Sequence, residues 1–392
     1  MRFKMLIVVS ASIALVTGCS SAGKVQDGQE KTKEVENVIK EEKVGEVRGE
    51  EVKGESSQYP IEADVRSLPG LEIKEISEKG LSKELISSYR YNEATDFKSF
   101  EKVANEIMEE GKNPGLGVRG LHQKGITGEG VNVAIIDQPI ELNHPEYKGK
   151  IVEYKNLCSD EGEESSMHGP AVASLLAGDT IGVAPKVNIY YAAAPSWSGD
   201  AAYYAEALKW IIECNKALPK EKGIHVVSVS AAPSGEGSPF SKNNKQWDEA
   251  VKLASAEGIL VLDCTTTYGT IGACYYAGKD REDGKTYIAG FSREDVLFMV
   301  DPSRILAPVG YRTTAETYEK GSYSYQYSGR GGLSWGIPYA AGTLALGWQI
   351  DSALTSEEAM TLLDETASFN QEGHKIINPV AFVEAVQARL NN

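Results

Sequence analysis

The chain has 392 residues, and its 40 Lys and Arg against 56 Asp and Glu leave a net charge of −16. That length allows one large domain with extensions, or two domains. The acidic balance argues against nucleic-acid binding through a basic surface. No CxxC or Cys/His spacing suggests zinc, and neither a metal nor a cofactor is expected.

Residues 1–18 read as a targeting segment. Arg2 and Lys4 form a basic start, and residues 6–16 are an apolar run too short to span a bilayer comfortably. The run ends in Leu15-Val16-Thr17-Gly18-Cys19, which resembles a bacterial lipoprotein signal, cleaved just before a cysteine that becomes lipidated. The resemblance implies lipidation of Cys19 and a mature protein held by acyl chains on the outer side of a bacterial cell membrane. The alternative is a secretory signal with a chance cysteine. The other four cysteines, Cys158, Cys214, Cys264 and Cys274, allow three disulfide pairings or buried free thiols.

With Cys19, residues 20–59 form a second segment. They are dense in Lys, Glu, Gly, Gln and Ser and nearly free of large apolar side chains, the composition of a disordered tether. Residues 60–112 differ. Leu68, Leu71, Ile73, Ile76, Leu81, Leu85 and Ile86 can pack on something, and residues 97–110 carry Phe100, Val103 and Ile107 at helical spacing. This stretch is short for a domain and reads as an N-terminal extension or short pro-region.

Regular structure is expected across residues 113–392. Residues 131–136 are an apolar, β-branched run suited to a buried strand, ending at Asp137. Further strands are expected at 187–193, 225–230, 258–262, 286–289 and 304–306. Residues 201–218 have helical character, and Trp247, Val251 and Ala254 share a helix face. Tyr323, Tyr325 and Tyr327 alternate with polar residues and suggest a strand or hairpin arm leading toward Ser334. Alternating strands and helices predict an α/β fold with a mostly parallel sheet covered on both faces. Ligands of such sheets bind beyond the carboxyl ends of the strands.

Three stretches carry chemistry. Residues 331–342, Gly-Gly-Leu-Ser-Trp-Gly-Ile-Pro-Tyr-Ala-Ala-Gly, place Ser334 on a tight turn at the start of a buried helix, with Pro338 expected in its first turn. Asp137 ends an apolar strand. His168, in Ser-Met-His-Gly-Pro-Ala-Val-Ala-Ser-Leu-Leu-Ala-Gly, opens a small, apolar helical run. By context it is a better general-base candidate than His122, His144, His225 or His374.

Together these stretches resemble the subtilase family of serine proteases. The order Asp137, His168, Ser334 matches, as do His144-Pro145 after the aspartate and Ile181-Gly182-Val183-Ala184-Pro185 after the histidine. Gly336, Pro338, Ala341 and Gly342 around the serine match too, as do Gly117-Val118 through Gly128 and Ile376-Ile377-Asn378-Pro379. The resemblance covers roughly residue 113 to the end. It implies a subtilisin-like three-layer fold and hydrolysis of peptide or protein substrates. Ser334 would be the nucleophile, His168 the base and Asp137 its orienting partner. It further implies Thr267 as oxyanion donor, where the family usually has asparagine, and Ser230, Ala231 and Ala232 as the strand beside which substrate lies.

Several neighbours depart from the family pattern. Gln138-Pro139 follows the aspartate, Pro170 follows His168-Gly169, and Leu333 precedes the serine. The segment 177–181 is shorter than the loop that binds calcium in many subtilisins, and no calcium site is expected there. A pseudoprotease of the same fold, binding peptides or a protein partner with little turnover, is the competing expectation.

Overall fold

A computed structural model describes residues 63–67, 76–158, 167–265, 269–276, 278, 280–290, 303–317 and 321–391. All of them belong to one unit, Glu55–Asn392. The targeting segment, Cys19, the charged tether and Thr267 lie outside the described residues.

In chain order the elements are α1 (Lys83–Ser87), β1 (Arg90–Asn92), α2 (Glu101–Gly111), α3 (Val118–Gln123), β2 (Asn132–Asp137), β3 (Ile151–Asn156), α4 (His168–Ala177) and β4 (Asn188–Ala193). Then come α5 (Ala201–Ala217), β5 (Ile224–Val229), α6 (Asn244–Ala256), β6 (Leu260–Asp263), β7 (Ile271–Tyr276), β8 (Tyr287–Ile288), β9 (Ile305–Pro308), β10 (Arg312–Glu316) and β11 (Ser324–Ser328). The described chain ends with α7 (Leu333–Ile350), α8 (Ser356–Glu365), β12 (Ser368–Phe369), β13 (Lys375–Ile376) and α9 (Pro379–Leu390).

The central sheet has the order β3-β4-β2-β5-β6 with every pairing parallel. β2 shows why the sequence reads as a doubly covered strand. Val133 and Ile135 pack in the core shared with α4 and α7, while Ala134 and Ile136 pack in the core shared with α5 and α6. Side chains alternate faces along a strand, so a strand covered on both sides must be apolar at every position. A second sheet, β12-β13-β9-β7-β8, packs against α7 through β7 and β9. The expected strand at 286–289 is only the two-residue edge β8, antiparallel to β7. β10 and β11 form an antiparallel hairpin, and β1 adds to its β11 edge.

Local signals set the helix ends. Asp200 caps α5 by accepting from the Ala202 amide. Thr355 and Glu358 form a reciprocal capping box on α8. Asn378 caps α9, which begins at Pro379. Pro338 departs from expectation. It is the sixth residue of α7, beyond the first turn. A residue there would donate its N–H to the Ser334 carbonyl, and proline has none. The Ser230 hydroxyl takes that acceptor instead, donating to the Ser334 carbonyl oxygen at 2.7 Å. Cys158, Cys214, Cys264 and Cys274 are free thiols.

Candidate active site

The site forms at the carboxyl end of the central sheet. Asp137 is the last residue of β2 and is 1% exposed. Its Oδ1 accepts from the Gln138 amide at 2.8 Å and lies 2.6 Å from Nδ1 of His168. An ionised carboxylate in that position orients the imidazole through Nδ1–H and leaves Nε2 as the proton acceptor.

His168 is the first residue of α4, and Gly169 is what lets it come this close. A Cβ on Gly169 would collide with the Gln138 carbonyl oxygen and come within 2.6 Å of both Ile140 Cγ2 and the Tyr191 hydroxyl. Tyr191, from β4, donates to that Gln138 carbonyl at 2.5 Å. The end of β2 and the start of α4 are therefore packed backbone to backbone.

Burial of the His168 ring works against its charged form. The charge of Asp137 and its hydrogen bond outweigh that, and the imidazole is held above its ordinary value of 6.5. The side chain keeps 24% of its surface exposed, enough for a substrate to approach. Its ring packs against Trp335, with centroids 5.5 Å apart, which places it beside the residue that follows Ser334.

Ser334 is the second residue of α7, after the extended Gly332 and the left-handed Gly331, φ 63°. A side chain on Gly331 would run into the Val309 carbonyl, so glycine is required there twice over, for conformation and for space. The Ser334 hydroxyl donates to the Ser230 carbonyl oxygen at 3.2 Å. Ser230, Ala231 and Ala232 follow β5 directly and run past the start of α7. All three of their carbonyls are engaged: Ser230 by the Ser334 hydroxyl, Ala231 by the Cys264 amide at 2.9 Å, and Ala232 by the Ser238 hydroxyl at 2.6 Å.

Asp137, His168 and Ser334, from three separate elements, and Ser230, just after β5, thus come to one end of the sheet. The other histidines have partners elsewhere. The His122 ring meets the Val183 carbonyl, His144 meets the Ser324 carbonyl, His225 stacks on Trp348 at 4.8 Å, and His374 faces Glu372. Sequence reasoning missed Trp335 and Tyr191 as supports of the site. Trp335 follows the serine directly and was legible in principle; nothing local links Tyr191 to Gln138.

At the carboxyl end of α4, remote from His168, Glu146 and Lys150 bind the segment 177–180. The buried Glu146 carboxylate accepts from the Thr180 amide and hydroxyl and from the Tyr325 hydroxyl. The Lys150 ammonium donates to the Glu146 and Ala177 carbonyls and to Asp179.

Comparison with known proteins bears on the fold and the family. The solved structure of fervidolysin from Fervidobacterium pennivorans, a keratinolytic enzyme related to subtilisin, is similar with a TM-score of 0.51 and 18% identity. The similarity covers 69% of this chain and 44% of that one. A chain of the subtilase cytotoxin SubAB is similar with a TM-score of 0.53 and 15% identity, over 70% of this chain and 96% of the other. At these identities the likeness concerns the fold. Subtilisin-like protease 3 of Arthroderma otae is 31% identical over 160 residues, 40% of this chain and 35% of that protein. The major intracellular serine protease of Bacillus subtilis (strain 168) is 25% identical over 242 residues, 57% of this chain and 70% of that protein. The chain therefore spans about a third of the length of the first curated relatives it matches. The family model for peptidase S8, the subtilase family, matches residues 128–378, well over half of the chain and all of the site just described, and the chain belongs to the subtilase family.

Proposed function

We propose that this chain is a serine endopeptidase in which Asp137, His168 and Ser334 form the catalytic triad. The observation that carries the proposal is the 2.6 Å contact between a buried Asp137 carboxylate and His168 Nδ1, beside the helix start that presents Ser334. Attack begins when the Ser334 hydroxyl turns from the Ser230 carbonyl to His168 Nε2. The imidazole takes the hydroxyl proton as Oγ bonds to the scissile carbonyl carbon, and Asp137 stabilises the resulting imidazolium. The same proton then passes to the leaving amine, giving an acyl-enzyme that water hydrolyses. The oxyanion would be stabilised by the Ser334 amide at the start of α7 and by Thr267. Ser230–Ala232 would form the strand beside which the peptide lies.

A fluorophosphonate probe tests the reading on the full chain. Labelling that is lost in Ser334→Ala supports it. Absence of labelling in folded protein refutes it in favour of a peptide-binding relative with little turnover. That second reading draws on the Ser334 hydroxyl pointing to Ser230, and on threonine in the place of the usual oxyanion asparagine.

We further propose that residues 1–18 are removed and that Cys19 carries the lipid, so that the enzyme works at the outer side of a bacterial cell membrane on peptide or protein substrates. Among the described residues no helix is long and apolar enough to cross a membrane. Radioactive palmitate should enter the wild-type chain and not Cys19→Ala; equal incorporation in both refutes the anchor.

A further inference from the structure

Residues 63–112 lie outside the span matched by the family model, yet they contribute to the site's framework. β1 pairs antiparallel with β11, with Arg90 opposite Ser328, Tyr91 opposite Tyr327 and Asn92 opposite Gln326. β11 runs directly into the turn that presents Ser334. The Gly329 amide donates to the Tyr89 carbonyl at 3.1 Å, and the Tyr327 hydroxyl donates to the Ser87 carbonyl at 3.0 Å. A Cβ on Gly329 would strike the Ser87 carbonyl oxygen and come 2.9 Å from Ser88 Cα. Main-chain atoms of 87–89 therefore pack directly on Gly329, in the segment that joins β11 to the start of α7. Arg90, on the same strand, is near enough for its charge to weigh against protonation of His168.

The arm is also knit into the interior. Ile86, Tyr91, Phe97, Ala104, Ile107 and Met108 share a buried cluster with Tyr327 of β11. Glu316, fully buried on β10, accepts from Asn92 Nδ2 at 2.9 Å and faces Arg66 at 3.7 Å.

The junction at 111–113 is held by three arginines from the body of the protein. Arg312 Nε donates to the Gly111 carbonyl, Arg119 Nη2 to that of Lys112, and Arg281 Nη1 to that of Asn113, at 3.3, 3.4 and 3.4 Å. A Cβ on Gly111 would sit 2.5 Å from Thr313 Oγ1, and no residue from 111 to 119 is exposed. A protease cuts segments that can be extended and reached, and this one is neither. Arg312 is 1% exposed, and two carbonyls, of Gly111 and Ile181, hydrogen-bond its guanidinium. Removing the arm would strip one of the two from a buried cation.

We infer that residues 63–67 and 76–112 do not belong to a leader shed on maturation but form a permanent arm of the active molecule, which positions the turn carrying Ser334. The inference rests on the peptidase reading, and the test separates the two. The full chain is labelled with a fluorophosphonate, and the labelled species is weighed intact and mapped by peptides. The expected result is one covalent chain bearing both the probe and residues 76–112. Probe found only on species beginning beyond residue 112 overturns the inference and leaves the peptidase reading standing. No labelling of folded protein overturns the peptidase reading and the inference with it.

The positioning role is read from labelling kinetics. Gly329→Ala should lower the maximal labelling rate by about tenfold or more, with the half-saturating probe concentration within about twofold of wild type. Tyr327→Phe, which removes the bond to Ser87 and keeps the ring, should move the maximal rate the same way by about two- to fivefold. If Gly329→Ala does not fold, Tyr327→Phe decides. A maximal rate unchanged in every folded variant, or a change confined to the half-saturating concentration, overturns the positioning role.

Discussion

Gly169→Ala tests the packing that brings His168 to Asp137. The new methyl would sit 2.6 Å from Ile140 Cγ2 and from the Tyr191 hydroxyl, and closer still to the Gln138 carbonyl oxygen. That is about 0.8 Å or more inside ordinary van der Waals contact, and its nearest neighbour is backbone, which has little room to yield. The first turn of α4 must therefore back away from the end of β2 by about 1 Å. His168 opens that turn, so its 2.6 Å contact with Asp137 lengthens with it. A displacement of about 1 Å of a catalytic group costs about a hundredfold in rate, equivalent to about 2.7 kcal/mol. Overpacking separately lowers stability by about 1–3 kcal/mol. The assay is the rate of fluorophosphonate labelling of Ser334, with urea unfolding of the same samples to separate the two effects. A folded Gly169→Ala protein that labels within about twofold of wild type would refute the reasoning.

Further outcomes are expected at His168, Lys150 and Ser230. Because His168 titrates above 6.5 and the proposed base works in its neutral form, labelling should rise with pH through that elevated value. Asp137→Asn removes the counter-charge, so burial then dominates; the limb should move to lower pH while the rate falls by about ten-thousandfold, and a limb that stays in place refutes the assignment. The same raised value makes the pair stabilising below about pH 6.5, with that stability lost as pH rises through the folded value, which acid-to-neutral unfolding series of wild type and Asp137→Asn will show. Lys150→Met leaves the Glu146 and Ala177 carbonyls without their shared ammonium donor and should cost about 1–3 kcal/mol; thermal melts unchanged from wild type would refute that cost. Ser230→Ala removes the donor that replaces the missing Pro338 N–H at the Ser334 carbonyl, and should slow labelling by about two- to tenfold; no change would mean that carbonyl needs no partner.

What was legible in the chain was whatever is written locally. The continuous apolar runs of β2 and β4 mark strands buried on both faces, because side chains alternate along a strand and both faces here meet helices. Asp137, His168 and Ser334 were singled out because each stands at an end of a strand or helix, in short motifs whose order and neighbours are written locally. Pro338 was misplaced by reading its position alone, since the partner that makes it tolerable, Ser230, lies 104 residues away. The free state of the four cysteines was not legible either, because pairing depends on distances that spacing does not encode.

By itself the sequence determined the layered α/β architecture and the order of the three motifs, since periodicity, turn chemistry and composition act over a few residues. Only the tertiary structure decided that β1 completes a sheet whose other strands lie more than 200 positions later, and that arginines from α3, β10 and the stretch before β8 converge on residues 111–113. Those choices follow from burying apolar surface while giving the buried Arg312 guanidinium and the carbonyls of 111–113 their partners, and such a balance exists only between segments already brought together in space.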